Sequence, residues 1–391
     1  LVNEVGGFRE GYEGAQDYDL FLRCISKIEN TQIKHLPLPL YSWRAVLGST
    51  ALSTFEKSYA ETAGLNALKD HCFRLDDGSE AVAGVVPTVY RVKKRLPSVL
   101  PLVSIIIPTR DGVEHLSRCI ESICDSTSYP NFEIIILDND SSDPDTLRFL
   151  KKLDDEGIAT VLTHPGPFNY SEINNVGVKA ANGSFVCLLN DDVEVISGGW
   201  LSEMMGWVLC PTVGAVGAKL LYPDRSLQHG GVVTGIGGVA GHGHKHVEDG
   251  SYGYFSRLTI THDVGAVTGA CLLTSKEIWE EVGGLDEESL KVAFNDVDYC
   301  LKIRSRGYRV VWTPFAELYH YESKSRGADT TPEKRERFRA EAITMLDRWG
   351  GLLLEDPSFS PNLSLESEQF ELADKPRFIP PWIVEPATAG H

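Results

Sequence analysis

The apolar run Phe185-Val186-Cys187-Leu188-Leu189 stops abruptly in Asn190-Asp191-Asp192. Five consecutive apolar side chains after Asn182-Gly183 predict a short central strand buried on both faces. The carboxyl end of such a strand in an open α/β sheet borders the crevice where ligands bind. Two adjacent carboxylates there can seat a hard divalent cation, Mg²⁺ or Mn²⁺. Such an ion takes one or two protein carboxylates and completes its shell with water and phosphate oxygens. Neighbouring side chains on an extended backbone point to opposite sides. One Asp is therefore expected on the cation and the other on a hydroxyl of the ligand. A lone Asp-Asp pair reads better as a polar turn, so the surrounding chain has to decide.

A second cluster, His242-x-His244-x-His246, invites a zinc site. Its Gly-rich setting and the lack of a fourth ligand at the usual spacing favour a loop instead. His229 stays without an assignment.

The elements that must position the acidic corner alternate. A buried strand at 103–107 ends at Pro108, and Leu116, Cys119, Ile120 and Ile123 share one helical face. A strand at 132–137 ends in Asp138-Asn139-Asp140-Ser141-Ser142-Asp143. A helix at 145–155, a strand at 158–163 and a helix at 170–181 follow, and the run ending at Asp191 comes next. The pattern predicts an α/β fold with a doubly wound, mostly parallel sheet whose strand ends carry the polar residues.

Beyond 195 the alternation weakens, as for an acceptor-side subregion. A helix is expected at 200–209, and the glycine density of 227–250 predicts a mobile loop. Thr274-Ser275-Lys276-Glu277 resembles a capping box, Asp296 opens a helix running to Gly307, and 308–312 is the last strand. A charged helix at 332–349 and an irregular tail complete the chain.

The N-terminal part opens mid-pattern. Gly6-Gly7-Phe8-Arg9-Glu10 followed by Asp17-Tyr18-Asp19 parallels Gly283-Gly284-Leu285-Asp286-Glu287 followed by Asp296-Val297-Asp298, and Leu40-Tyr41-Ser42-Trp43 parallels Leu318-Tyr319-His320-Tyr321. This reads as a repeat of domain size with the first copy cut short. The expected layout is a remnant at 1–50, a helical linker and connector at 51–100, the main domain at 101–330, and a helix with tail at 331–391. Within the linker a helix spans 55–74, and the basic cluster Arg91, Lys93, Lys94, Arg95 is expected to be solvated. The chain is read as a fragment of a longer protein.

Composition narrows the function. The 391 residues carry a net charge of −18, which opposes general nucleic-acid binding and suits a cation-assisted phosphate site. No apolar run is long enough to cross a bilayer and no signal peptide is expected. Eight scattered Cys with no Cys-x-x-Cys fit reduced thiols in the cytoplasm.

Residues 103–327 resemble a family 2 glycosyltransferase of the GT-A fold. The motifs are Val103-Ser104-Ile105-Ile106-Ile107-Pro108-Thr109, Leu137-Asp138-Asn139, Asn175-x-Gly177, Asn190-Asp191-Asp192, Gly269-Ala270-Cys271, Gly283-Gly284-Leu285-Asp286, Asn295-Asp296-Val297-Asp298 and His320-x-Glu322-Ser323. Each is weak alone; together and in order they are specific. Arg348-Trp349-Gly350, Asp356-Pro357 and Asn362-Leu363 add a similarity to bacterial enzymes that build surface polysaccharide such as O-antigen.

The resemblance implies an inverting, cation-dependent transfer of a sugar from a UDP- or dTDP-linked donor to a lipid-linked or oligosaccharide acceptor. It implies a cytoplasmic enzyme, held peripherally at the inner face of the membrane. Asp192 is the expected direct ligand of Mn²⁺ or Mg²⁺, with His320 completing the shell. Thr109, Arg110, Asp138, Asn139, Asn175, Asp191, Gly269 and Ala270 are expected around the donor, with Lys324 and Arg326 folding over its diphosphate. Asp296 is the expected general base, kept ionised by a helix N-terminus, with Asp298 its competitor. The histidine loop falls near the acceptor. Two alternatives stay open: a sugar nucleotidyltransferase, for which Pro108-Thr109-Arg110-Asp111-Gly112 supplies only part of a phosphate loop, and a non-catalytic glycan-binding module.

Overall fold

The computed structural model describes residues 1–42, 58–322 and 331–378. The N-terminal part holds α1 (Gln16–Ile25), α2 (Ser58–Leu75) and a hairpin of β1 (Glu80–Ala83) and β2 (Tyr90–Lys93). Leu22, Ala67, Leu68, Cys72 and Ala81 form a small core of its own. The basic cluster is not simply solvated. Arg91 pairs with Glu203 at 2.6 Å and its guanidinium lies 3.6 Å from the Phe315 ring centre, docking this part on the main sheet.

That sheet begins with β3 (Val103–Thr109), buried along its whole length. Then α3 (Val113–Ser126), β4 (Phe132–Asp138), α4 (Pro144–Asp155), β5 (Thr160–Thr163), α5 (Tyr170–Ala180) and β6 (Phe185–Leu189) alternate as expected. Asp143 starts α4 by accepting the Thr146 N–H at 2.8 Å, with Pro144 behind it, and Asn169 caps α5 by accepting the Glu172 N–H. Successive residues of β3 serve opposite faces. Ile105 and Ile107 join Leu116, Ile120 and Ile123 in one core, while Ile106 joins Ile173 and Val178 in the other. Strands β6, β3, β4 and β5 lie side by side in that order, all parallel. The order reverses between β3 and β6, which puts a topological switch point at Thr109 and Asn190.

The second half is mixed. It holds β7 (Val193–Val195), α6 (Trp200–Val208), β8 (Val213–Leu221), β9 (Leu227–His229), β10 (Val232–Thr234), β11 (Ala240–His242) and β12 (His262–Asp263). β13 (Cys271–Ser275) runs antiparallel between β6 and β8, and α7 (Lys276–Val282) and α8 (Asn295–Ser305) follow. β14 (Arg309–His320) lies parallel to β8, and α9 (Pro332–Trp349) packs last.

Three expectations change. The stretch 227–250 is no mobile loop: three short strands occupy 227–242, and Gly231 and Gly235 turn the chain at φ 92° and 89°. The cap of α7 is Ser275, which accepts the Ile278 N–H at 3.1 Å; Thr274 sits inside β13 and donates to the Gly214 carbonyl at 2.7 Å. The last strand does not stop at 312 but continues to His320. A register irregularity between Thr313 and Glu317 accommodates Pro314, as prolines in sheets require.

Gly177 sets how closely α5 approaches the sheet. A Cβ there would run into the Ile106 side chain and lie 2.9 Å from Leu137 Cδ2. Helix propensity favours Ala by about 1 kcal/mol, but overpacking a core costs about 1–3 kcal/mol. Gly177→Ala is therefore expected to lower the urea midpoint; a raised midpoint would contradict this packing.

Candidate active site

The acidic corner sits at the switch point. Thr109, ending β3, donates from Oγ1 to Asp191 Oδ2 at 2.7 Å. Burial, with the charge of Asp192 adding to it, pushes the Asp191 carboxyl up to about 7. Asp192 points the other way, with Oδ1 3.1 Å from His320 Nε2. Burial pulls its carboxyl upward, but the His320 imidazole beside it, then His115, outweigh it and hold it below the usual range. The two carboxylates thus diverge as extended backbone requires.

His320 arrives there through pairing of β14 with β7, which sets His320 opposite Val193. The Tyr321 N–H donates to the Asp192 carbonyl at 2.9 Å and locks the two segments. Gln228 Nε2 lies 2.6 Å from His320 Nδ1 and donates to Glu322 Oε2 at 3.0 Å; Glu322 also accepts from Tyr222. These contacts, with Asn190 Nδ2 3.2 Å from His320 Nε2, fix the plane of the imidazole at the cleft. Asp192 Oδ1 has no donor in hydrogen-bond geometry despite the nearby imidazole. Among the described residues no three His, Cys, Asp or Glu side chains make a closed cage. Asp192 and His320 form an open, two-point seat, which fits a cation that draws its other ligands from phosphate and water.

The facing wall carries Asp296, in the first turn of α8. Its Oδ2 accepts the Gly269 N–H and its Oδ1 the Val297 N–H, both at 2.8 Å. The helix N-terminus was expected to favour the ion. Here burial wins over those two N–H groups, and the carboxyl is raised above the usual value. Tyr170 donates to the Gly269 carbonyl at 2.8 Å and steadies the same turn.

Asp298 does different work. It is wholly buried and paired with Lys302 and Arg348, each at 2.8 Å, with the Trp349 indole N–H donating at 2.9 Å. Its position rules it out as the competitor of Asp296. Glu341 of α9, also buried, accepts the N–H groups of Val292 and Ala293 at 3.0 and 2.8 Å. Phe294, next in line, is held at φ 60° directly before α8. The C-terminal helix therefore fixes the turn that presents Asp296.

One cleft of about 630 Å³ gathers Thr109, Arg110, Asn139, Asp191, Asp192, Gly269, Ala270, Asp296 and His320. Asp138 stands just outside its lining and accepts the Ser141 N–H. Asn139 donates to the carbonyls of His164 and Gly166, while its Oδ1 is buried without a partner. Asn175 does not belong to the cleft. Both ends of its amide clamp the Leu285 backbone, so it is a brace for the 284–287 turn. Lys324 and Arg326 lie outside the described residues.

Sequence reasoning missed Tyr170, Gln228, Thr268, Lys334 and Arg337, which also line the cleft. For Lys334 and Arg337 a signal existed: with Glu341 they follow helical spacing on one face of a charged helix. The three clustered histidines diverge. His242 lines the cleft, His244 stacks on Phe370 and His246 on Tyr222.

A parallel sheet with an acidic corner at its switch point and a mixed second half has the GT-A form. Residues 104–282 match the family model Glycosyl transferase family 2. The chain is 51% identical over 375 residues to an uncharacterized protein, y4gI, of Sinorhizobium fredii, covering 95% of this chain and 41% of that protein. It is 38% identical over 331 residues to the O-antigen biosynthesis protein RfbC of Myxococcus xanthus, covering 84% of this chain and 26% of that one. The chain thus spans less than half the length of these relatives. A crystal structure of GalNAc-T7 with UDP, GalNAc and Mn²⁺ shares the fold, with a TM-score of 0.53 at 16% identity over 65% of this chain and 49% of that one. Residues 104–282 of this chain are a glycosyltransferase family 2 domain.

Removing one partner of a buried ion pair leaves the other charge uncompensated and costs about 3 kcal/mol. Asp298→Ala should lower unfolding stability by that amount, read as a lower urea midpoint at unchanged slope. No change in midpoint would remove Asp298 from the frame of the site.

Proposed function

We propose that the chain transfers a sugar, with inversion, from a nucleoside diphosphate to a hydroxyl of a growing surface glycan. One observation carries this reading: a single cleft has a cation seat on one wall and a lone, proton-hungry carboxylate, Asp296, on the other. A divalent cation held by Asp192 and His320, Mn²⁺ or Mg²⁺, would offset the charge that develops on the departing diphosphate. Asp191 with Thr109 takes a donor hydroxyl, Arg110 and Asn139 flank the nucleotide, and Gly269-Ala270 lets the sugar approach the backbone. Asp296 accepts the proton of the acceptor hydroxyl as its oxygen bonds to the anomeric carbon and the bond to the diphosphate breaks. Among the described residues the other cleft carboxylates are engaged, Asp191 with Thr109, Asp192 beside His320 and Glu322 with Gln228 and Tyr222, so the displacement is read as single and inverting.

The turn after β3 speaks against nucleotidyl transfer. Asp111, at φ 49°, accepts the N–H groups of Ser142 and Asp143, so the segment is tied to the β4–α4 loop rather than open around a phosphate. We read the donor as UDP- or dTDP-linked and the acceptor as lipid-linked or an oligosaccharide; a relative named for O-antigen biosynthesis supports a surface glycan as the product. Such an acceptor would bring the chain to the inner membrane face. We read that contact as peripheral; no helix among the described residues is long and apolar enough to cross a membrane.

Residues 1–50 are read as the base-bearing end of a second, incomplete domain, beside the main domain at 101–330. Gly6 and Gly7 share left-handed backbone with Gly283 and Gly284. Arg23 donates to the Gly7 carbonyl at 2.6 Å, as Lys302 does to that of Gly284 at 3.2 Å.

Incubating the chain with a panel of nucleotide sugars and Mn²⁺ tests the proposal: nucleoside diphosphate is the expected product, and release of pyrophosphate would overturn it. Chelation by EDTA should abolish turnover, and added Mn²⁺ should restore it. Asp296→Asn should lower kcat by about 10²–10⁴-fold while nucleoside diphosphate affinity stays within about twofold. In the wild type the base must be deprotonated, so kcat/KM should rise with pH through the raised Asp296 value. The rising limb then lies above about 3.9, the ordinary Asp value; a limb at or below it would contradict the assignment.

A further inference from the structure

Two histidines of the Gly-rich stretch take no part in the chemistry above. His229, ending β9, is wholly buried, and His242, ending β11, lines the cleft. Their Nδ1 atoms are 2.9 Å apart, with the rings edge-on at 86°. A nitrogen pair at this distance shares one proton, and its owner is fixed from behind. The Thr268 backbone N–H points at His229 Nε2 at 3.5 Å, and a backbone N–H can only donate. His229 Nε2 is therefore unprotonated. Burial lowers His229 well below the usual imidazole range and His242 to about 4, so both rings are neutral at pH 7. A neutral His229 that accepts at Nε2 carries its proton on Nδ1 and donates it to His242 Nδ1. His242 must then bear its own proton on Nε2. No acceptor among the described residues takes that N–H.

We propose that His242 presents a tautomer-locked Nε2–H to the cleft, where it donates to a sugar hydroxyl or ring oxygen and selects the sugar bound there. The inference rests on the transferase reading for its ligand, but not for its tautomer. A fixed neutral donor suits an uncharged sugar oxygen. His242 lines the same cleft as Gln228, Thr268, Glu322 and Asp296. A site built to hydrogen-bond a hydroxyl rejects an analogue that lacks it, because the buried donor is left unpaired. The oxygen belongs either to the transferred sugar or to the acceptor sugar.

Two measurements on the full chain decide. With ¹⁵N-labelled histidine, two-bond ¹H–¹⁵N spectra at pH 7 should show His242 as the Nε2–H tautomer and His229 as the Nδ1–H tautomer; an imidazolium at either, or the reverse pair, overturns the proposal. In kinetics, His242→Phe keeps a flat ring without the donor. It should raise KM at least tenfold for one sugar substrate and leave the other within twofold, and His242→Gln should recover most of the loss. A change in donor KM assigns the transferred sugar, and a change in acceptor KM assigns the acceptor. A folded His242→Phe chain with both KM values within twofold of wild type refutes the role. Absence of turnover in the wild type would strike the transferase reading, while the tautomer spectrum would still stand or fall on its own.

Discussion

Pairing between the last residues of β14 and the short strand β7 holds the candidate site together. His320 stands across from Val193, so an imidazole from the far end of the chain meets a carboxylate ending the central parallel strands. A slip of one residue would turn His320 to the opposite face and Tyr319 or Tyr321 toward Asp192. The register is enforced from two sides. Leu318 and Ala316 are buried in the core beneath, and the Tyr321 N–H bonds to the Asp192 carbonyl. The juxtaposition of Asp192 and His320 is thus a consequence of strand packing rather than a separate device.

The opposite wall depends on acids that do no chemistry. Asp298 and Glu341 are both buried, one held by Lys302, Arg348 and Trp349, the other by two backbone N–H groups. Together they bind α9 to α8 and stiffen the turn before Asp296. An acidic chain uses its carboxylates in two ways here. Those matched to donors build the frame, and those facing the cleft keep oxygens for ligands. Asp192 Oδ1, lacking a well-directed donor, belongs to the second kind.

Much of this was legible in the sequence. Uninterrupted apolar runs ending in polar residues marked β3, β4 and β6, because strands buried on both faces have no alternation to obscure them. The acidic corner, Asp296 and His320 were readable as motifs in order, and the structure brings them to one cleft. The full length of β14 was not, since Thr313-Pro314 looks like an ending and only a partner strand rescues a proline there. The order in 227–250 was hidden because its glycines serve tight corners whose neighbours come from elsewhere in the chain. Asn175 looked like a donor contact from its motif, yet its amide braces a turn more than a hundred residues away. The contribution of Glu341 depends on backbone donors at 292–293, which no local pattern announces.

Anomalous diffraction from crystals grown with a nucleoside diphosphate and Mn²⁺ tests the central claim most directly. The account predicts a manganese peak at coordination distance, about 2.0–2.2 Å, from Asp192 and His320, with diphosphate oxygens completing the shell and Asp296 facing it across the cleft. A peak held by other residues, or a diphosphate bound with no manganese between it and Asp192, would contradict it.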